Sequence, residues 1–358
     1  MARCAVLLAL AMVGMTACAG GDLPPTGAAL SIRQAEPIRT DRLAEAIDYA
    51  RGQKTTGLLI IQNGRTLFEA NWPLAEGSED FRSGFVHGTT PDGALLEDVA
   101  SLQKSFVAIL VGAAIDKGLL DIEQPVSAYI GEGWSKASRE QEARITVHHL
   151  LEMTSGLTES LAFEAPAGTK FFYNTPAYAM MKGVLSKASG ASLDDITKSW
   201  LTDPLGMTET SWRIRPGRFA GVGNPTGLVT TPRDIAKLGQ MVLDEGRAPS
   251  GASVISPPQL KAILSRSSAN PAYGRLWWLN GGAFTVNAGA GRRVEGSMIP
   301  EAPDDLVAGQ GAEARKLYVV PSLRLIVVRT GMQTPDANFN SGFWRLLAKA
   351  LPSSPGAT

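Results

Sequence analysis

The residues best suited to chemistry in this chain are Ser101 and Lys104, three apart in Ser101-Leu102-Gln103-Lys104. A serine hydroxyl is a weak nucleophile until a base takes its proton. Residues i and i+3 share a helix face, so a helix starting here sets the Lys104 amine beside the Ser101 hydroxyl. The run that follows, "SFVAILVGAAIDKGLL", is apolar on nearly every side, as a buried helix requires, and Ser101, Gln103, Lys104 and Ser105 are confined to its first turn. The positive end of the helix macrodipole disfavours an ammonium there and favours negative charge on a serine oxygen. Burial disfavours the ammonium further. Both effects bring the amine toward the proton affinity of a working base. The plainer alternative is an N-capping serine with a solvated lysine one turn on. About one Ser-x-x-Lys is expected by chance in a chain of this length.

Other chemistries find little material. The chain has three His (His87, His148 and His149) and two Cys, Cys4 and Cys18. A Ser-His-Asp triad therefore has few options, and His148 and His149 are adjacent on an expected helix, where surface or packing roles suit them. His87, in a loop region near Ser101 in sequence, is the one that could line a cleft. No Cys-based metal site can form in the body of the chain. There is no G-x-S-x-G elbow, no H-E-x-x-H and no P-loop. Gly309-Gln310-Gly311 with Ala314 matches the loose dinucleotide pattern G-x-G-x-x-A, but the strand-like "RKLYVV" follows it where a helix should. No metal or organic cofactor is implied. Lys+Arg and Asp+Glu both number 34, which removes the electrostatic argument for a nucleic-acid partner.

The elements that must position Ser101 and Lys104 can be read coarsely. Asp41 to Gln53 has helical spacing, with Leu43, Ile47 and Ala50 on one face. "GLLIIQNG" reads as a strand and tight turn, and "RTLFEANW" as its antiparallel partner. From Ser101 to Asp244 the signals are mainly helical, with Thr146 and Ser192 as caps. Strand signals return in "GRLWWLN", "RKLYVV" and "RLIVVRT", and a last helix is expected over Phe339 to Leu351. Strands at both ends with helices between predict an α/β lobe from residues 40–98 and 270–352, a helical lobe from 99–269, and a cleft where they meet.

The first residues read as an export signal. Arg3 is followed by an apolar stretch from Ala5 to Met15, too short to span a bilayer, and then by Thr16-Ala17-Cys18. Small residues before a Cys resemble a bacterial lipoprotein signal over 1–18, with Cys18 as the lipidated first residue of the mature chain and 19–39 as a tether. The alternative is an ordinary secretory signal. With lipidation, the membrane is a partner through Cys18 and the body is exported to the periplasm.

From Ser101 onward the chain resembles the serine β-lactamase and penicillin-binding protein superfamily, most closely its class-C-like branch of esterases and 6-aminohexanoate-oligomer hydrolases. The resemblance covers roughly residues 40–350. It rests on "VASLQKSFVAILVGAAIDKGLLDIEQPVSAYI", "ITVHHLLEMTSGL", "PAGTKFFYNTPAYAMM", "LTDPLGMTETSW", "GLVTTPRDIAKLGQMVL" and "PEAPDDLVAGQGAEARKLYVVPSLRLIVVRTG", in that order. It implies a β-lactamase-like fold of α+β type, an antiparallel sheet flanked by helices with an inserted all-helical lobe. It further implies that Ser101 forms an acyl intermediate, Lys104 takes its proton, and Tyr173 is a second acid/base. The N–H groups of Ser101 and Ala312 would form the oxyanion hole, with Gly311 and Gln310 in the third motif. The second motif, Tyr173-Asn174-Thr175, has Thr where the family commonly has Asn, so either Asn174 or Thr175 could face the substrate. The third, Gly309-Gln310-Gly311, has no cation where the family commonly has Lys or His, and Arg315 or Lys316 is a possible substitute. Tyr178 and the Trp277-Trp278 pair are expected in the core, with a substrate wall as the tryptophans' alternative. The implied reaction is hydrolysis of a small ester or amide. The alternatives are a β-lactamase or D-Ala-D-Ala-type peptidase, and a non-catalytic cell-wall binding protein on the same scaffold.

Overall fold

In the computed structural model, described over residues 34–217, 221–289 and 291–352, β1 (Thr55–Gln62) and β2 (Arg65–Asn71) form the hairpin expected around Asn63-Gly64. Asn63 and Gly64 both have positive φ, which a two-residue hairpin turn requires. β1 pairs next with the distant β12 (Leu325–Gly331), an antiparallel register running from Thr55 opposite Gly331 to Gln62 opposite Leu325. β11 (Arg315–Val320), β10 (Val307–Gly311) and β7 (Trp278–Leu279) complete a six-stranded antiparallel sheet in the order β2-β1-β12-β11-β10-β7. Both ends of the chain thus meet in one sheet.

Every residue of β11 and β12 is buried, because helices cover both faces of the sheet. Successive side chains of a strand point to opposite faces. Leu317 and Val319 of β11 pack on Gly239 of α4 (Pro232–Leu243), whereas Tyr318 reaches the other way and donates to Asn340 of α5 (Phe339–Ala348) at 2.7 Å. α1 (Ala44–Gly52) lies beside α5, with Tyr49 stacked on Phe339. The last helix ends three residues short of the expected Leu351, and the first begins at Ala44, after a 3-10 turn at Thr40–Arg42.

The nucleophile helix α2 (Gln103–Asp116) is buried from Gln103 through Ala114. It packs against β10, against α3 (Thr175–Ser189) and against the short helix Pro257–Ile263. Thr146 and Ser192 cap short helices as their types predict, and Asn174 caps α3 with Pro176 in its first turn.

The segment 99–269 departs from an all-helical lobe. It contributes β5 (Ser211–Ile214) and β6 (Thr226–Thr230), which join β3 (Val86–Thr89) and β4 (Leu95–Asp98) in a four-stranded sheet of order β3-β4-β6-β5. It also sends α4 onto the six-stranded sheet. Short strands of four and five residues carry little periodic signal; pairing defines them, β5 on β6 from Ser211 opposite Val229 to Ile214 opposite Thr226, and β6 on β4 through Asp98 with Val229 and Glu97 with Thr230. "GRLWWLN" is also less regular than expected: only Trp278–Leu279 is strand. Leu276 sits at φ 62°, where its N–H bonds the Leu151 carbonyl and its own carbonyl accepts from Ser105. β8 (Phe284–Val286) and β9 (Arg293–Glu295) form a separate hairpin. No helix of the described residues is long and apolar enough to cross a membrane.

Candidate active site

Ser101 lies in a 3-10 turn, Ala100–Leu102, at the head of α2. The turn is strained into place. Ala100 has φ 49°, a left-handed conformation that costs a non-glycine residue of the order of 1 kcal/mol or more. Its N–H donates to Asp98 Oδ1 at 2.8 Å, and its carbonyl accepts from Gln103 Nε2 at 2.9 Å. Asp98 is itself held by Arg215 through two bonds, Nε to Oδ2 at 2.7 Å and Nη2 to Oδ1 at 2.8 Å. Both partners are almost wholly buried. This pair, 117 positions apart in sequence, fixes the direction from which Ser101 enters the site.

Lys104 Nζ is 2.9 Å from Ser101 Oγ and 3.4 Å from Thr175 Oγ1. The helix geometry expected from the i, i+3 spacing is therefore present. The amine also sits 4.7 Å from the ring centre of Tyr173 and 4.5 Å from that of Tyr178. No carboxylate bonds the amine among the described contacts. Burial pushes its pKa well below the ordinary lysine value, and the Arg215 and Lys182 cations push the same way.

Tyr173 comes from the loop that enters α3. Its ring stacks on Trp278 with centroids 5.8 Å apart and meets Tyr273 edge-on at 6.1 Å. Burial raises its phenol to about 12, opposed by the nearby Ser101 hydroxyl. Ser101, Lys104, Tyr173 and Thr175 thus converge from α2 and the α3 entry. Trp277 is fully buried, and Trp278 forms the wall behind Tyr173. Tyr178 is core, as expected, but its ring also contacts Lys104.

Of the two second-motif candidates, Thr175 reaches Lys104 and Asn174 does not. Asn174 Nδ2 donates to the carbonyls of Leu157 and Thr158, and Oδ1 accepts from Ala177 N–H. Its acceptor thus caps α3 and its donors hold the 157–158 loop, so the Asn174 side chain is engaged by the protein itself.

The third motif lies on the edge of β10. A Cβ on Gly311 would stand 2.3 Å from the Val99 carbonyl oxygen, and one on Gly309 would stand 3.0 Å from Ser105 Oγ. Two glycines at i and i+2 clear one face so that the strand can press against the nucleophile turn. Gln310 points to the opposite face, where its carbonyl accepts from Lys316 across the β10–β11 pair and its amide meets Met298 Sδ at 3.1 Å. Ala312 follows at the strand end and lines a cavity of about 440 Å³ with Gly311, Lys316, Asn338 and Ser341.

The two substitute cations behave differently. Arg315 is fully buried and turned away, with Nε 3.3 Å from Glu97 Oε2, Nη1 donating to the Ala312 carbonyl at 3.0 Å, and the guanidinium over the Phe85 ring. Lys316 lines the cavity, 7% exposed, with its pKa lowered to about 7 by burial and by Arg329. The imidazoles are occupied elsewhere. His87 is exposed on β3, His148 pairs with Glu152 and Glu123, and His149 accepts from Thr146 N–H. Sequence reasoning missed Asp98, Arg215, Glu97 and Tyr273, none of which lies in a motif.

Comparison with known proteins places the chain in a family. Residues 40–328 match the Beta-lactamase family model. The 6-aminohexanoate-dimer hydrolase of Paenarthrobacter ureafaciens is 24% identical over 80% of this chain and 82% of its own. The D-alanyl-D-alanine-carboxypeptidase/endopeptidase AmpH of Escherichia coli K12 is 21% identical over 60% of this chain and 66% of its own. In fold, the beta-lactamase/D-alanine carboxypeptidase of Yersinia pestis superposes with TM-score 0.60 over 87% of this chain and 98% of its own, at 18% identity. With the family model covering most of the body, and antiparallel sheets and helices arranged as in its solved members, the chain is a hydrolase of the beta-lactamase family.

Proposed function

We propose that the protein hydrolyses a small ester or amide through an acyl intermediate on Ser101. The observation that carries this reading is the 2.9 Å contact between Lys104 Nζ and Ser101 Oγ at a buried helix head. With the amine neutral, the hydroxyl donates across that contact. Ser101 Oγ attacks the substrate carbonyl carbon as its proton passes to Lys104. The oxyanion that forms is held by the N–H groups of Ser101 and Ala312. Tyr173, beside Ser101, hands a proton to the departing alcohol or amine and regains one from the Lys104 ammonium, which resets the pair. The neutral pair then takes one proton from the water that attacks the acyl carbon and delivers it to Ser101 Oγ as the acyl–oxygen bond breaks, freeing the acid.

Ester over β-lactam is the preference that the third motif supports. A β-lactam carries a carboxylate near its ring. A charge-assisted hydrogen bond to such a group contributes roughly 1.5–3 kcal/mol, about ten- to a hundredfold. Gly309 supplies no side chain, and Arg315 is committed to Glu97. The second reading, a peptidase or β-lactamase, has Lys316 as its cation, which bonds Gln310 on the β10 face away from the nucleophile turn and lines the cavity next to Ala312. Burial and the Arg329 cation lower its pKa and disfavour the ammonium, which makes it a weak anchor.

The test is steady-state kinetics with a short-chain nitrophenyl ester and a chromogenic cephalosporin, with Ser101→Ala as the blank. The expected outcome is clearly higher kcat/KM on the ester and loss of turnover by several orders of magnitude in a folded Ser101→Ala protein. Comparable efficiency on the cephalosporin promotes the second reading. Ordinary activity in Ser101→Ala overturns the mechanism, and failure of wild-type Ser101 to take an active-site serine label would point to a non-catalytic binding role.

A further inference from the structure

Lys182, one turn of α3 beyond Tyr178, is a buried charged group that the reaction above does not use. Its Nζ donates to Asn224 Oδ1 at 2.6 Å and to the Thr226 carbonyl, and it lies 4.8 Å from the ring centre of Trp212. Its Nζ and that of Lys104 share the ring of Tyr178, at 5.8 and 4.5 Å from the centroid. Arg215 joins the two sides. It bonds the Asn224 carbonyl at 3.0 Å through Nη1 and grips Asp98, the residue that holds the Ala100–Ser101 turn.

We propose that Lys182 is a positioning residue of the reaction, acting through Tyr178 and the Arg215–Asp98 pair to keep the Lys104 amine free of its proton. The inference rests on the assignment of Lys104 as the proton acceptor of Ser101. Lys104 is faced by Ser101 from the nucleophile turn, by Tyr173, Thr175 and Tyr178 from the α3 segment, and more remotely by Arg215 and Lys182. None of its bonded partners is an anion. Lys182 is faced by Tyr178, Trp212, Asn224 and Thr226, with Arg215 and Asp98 nearby.

The two buried amines compete for one proton. Lys182 has an amide and a peptide oxygen to receive its N–H groups, two aromatic faces, and the Asp98 carboxylate in range. Lys104 has only hydroxyls and rings. The first proton taken up as pH falls therefore belongs to Lys182, whose pKa is near 7, lowered from the usual value by burial and then by Arg215. Once charged, Lys182 adds its repulsion to that of Arg215 against a second proton on Lys104. The coupling passes through space and not along a proton wire, since the buried Tyr178 hydroxyl has no hydrogen-bond partner among the described residues.

The signs give a test. Lys182→Met removes a cation, so Lys104 protonates more readily. The acid limb of kcat/KM should then move up by about one pH unit, roughly tenfold less activity at a fixed pH on that limb. Lys182→Gln, which keeps a hydrogen-bond donor, should move it the same way. Lys182→Arg retains the charge and should leave the limb in place or move it down. A merely structural role would lower the plateau and leave every limb unmoved, and that result in a folded neutral variant overturns the proposal. If neither neutral variant folds, lysine NMR titration of the wild-type protein decides. Lys182 taking its proton at higher pH than Lys104 supports the inference, and the reverse order overturns it. Lys104→Ala run in parallel separates the two failures: ordinary turnover there refutes the Lys104 assignment itself, whereas an inactive Lys104→Ala with an unmoved Lys182→Met limb refutes only the role of Lys182.

Discussion

Lys104 and Tyr173 reach Ser101 from different elements, yet the buried amine stands 4.7 Å from the ring centre of the half-buried tyrosine. Each has its charged form disfavoured by burial: the ammonium of Lys104 and the phenolate of Tyr173, whose pKa rises to about 12. Neither can hold charge cheaply alone, so a proton leaving Ser101 is best shared between them. Lys104→Arg should accordingly be as damaging as Lys104→Ala, because a guanidinium does not release its proton near neutral pH. Tyr173→Phe should slow turnover while the ring, stacked on Trp278, keeps the fold. The double mutant Lys104→Ala/Tyr173→Phe should lose little more than the worse single mutant, as expected of groups that act together. Additive losses in kcat would separate them.

At the scale of elements, the site is a seam between the head of α2 and the edge of β10. Its width is set by Gly309 and Gly311, which clear the face that meets Ser105, Leu102 and the Val99 carbonyl. The absence of a long side chain at Gly309 thus has a steric counterpart: this strand lies too close to the nucleophile turn to carry one. Gly311→Ala should show it. The new methyl would stand 2.3 Å from a backbone oxygen, so β10 or the turn must move. The expected cost is about 1–3 kcal/mol in denaturant unfolding, with a fall in kcat larger than any rise in KM, because Ala312 moves with the strand. Unchanged stability and kcat in that variant would show that the seam is slack.

Across the whole molecule, one buried ion pair braces the four-stranded sheet and another ties it to the six-stranded sheet. Asp98 of β4 meets Arg215, just beyond β5, and its neighbour Glu97 meets Arg315 of β11 while bonding Thr56 of β1 and the Gly331 N–H. Breaking such a pair leaves a buried charge without its partner and typically costs about 3–5 kcal/mol. Cys18 and the export signal lie outside the described residues. We propose that the segment Arg3 to Cys18 directs export and that Cys18 carries the lipid anchor. Several acyl chains hold a protein on a membrane stably where one does not. Cys18→Ser should release the protein to the soluble fraction or block its processing, read by fractionation and by the mass of the mature N-terminus. Membrane association unchanged by Cys18→Ser would place the anchor elsewhere.

Ser101 and Lys104 were legible because helix periodicity is local: three residues along a helix head fix which side chains are neighbours, whatever the rest of the chain does. The Asn-Gly hairpin, the buried strand "RLIVVRT" and the caps at Thr146 and Ser192 were legible for the same reason. Tyr173 became legible through its motif, but the motif left Asn174 and Thr175 undivided. A helix start decided between them, since capping α3 engages the Asn174 side chain and leaves Thr175 facing Lys104. The strands Ser211–Ile214 and Thr226–Thr230 are too short for a period to register; they pair with each other, and the second also pairs with β4, far away in sequence. Asp98 with Arg215, Glu97 with Arg315, and Lys182 beside Tyr178 depend on contacts between segments far apart in sequence, apart from the last. A buried charge is tolerated only where a partner arrives to meet it, and which partner arrives is decided by the tertiary structure.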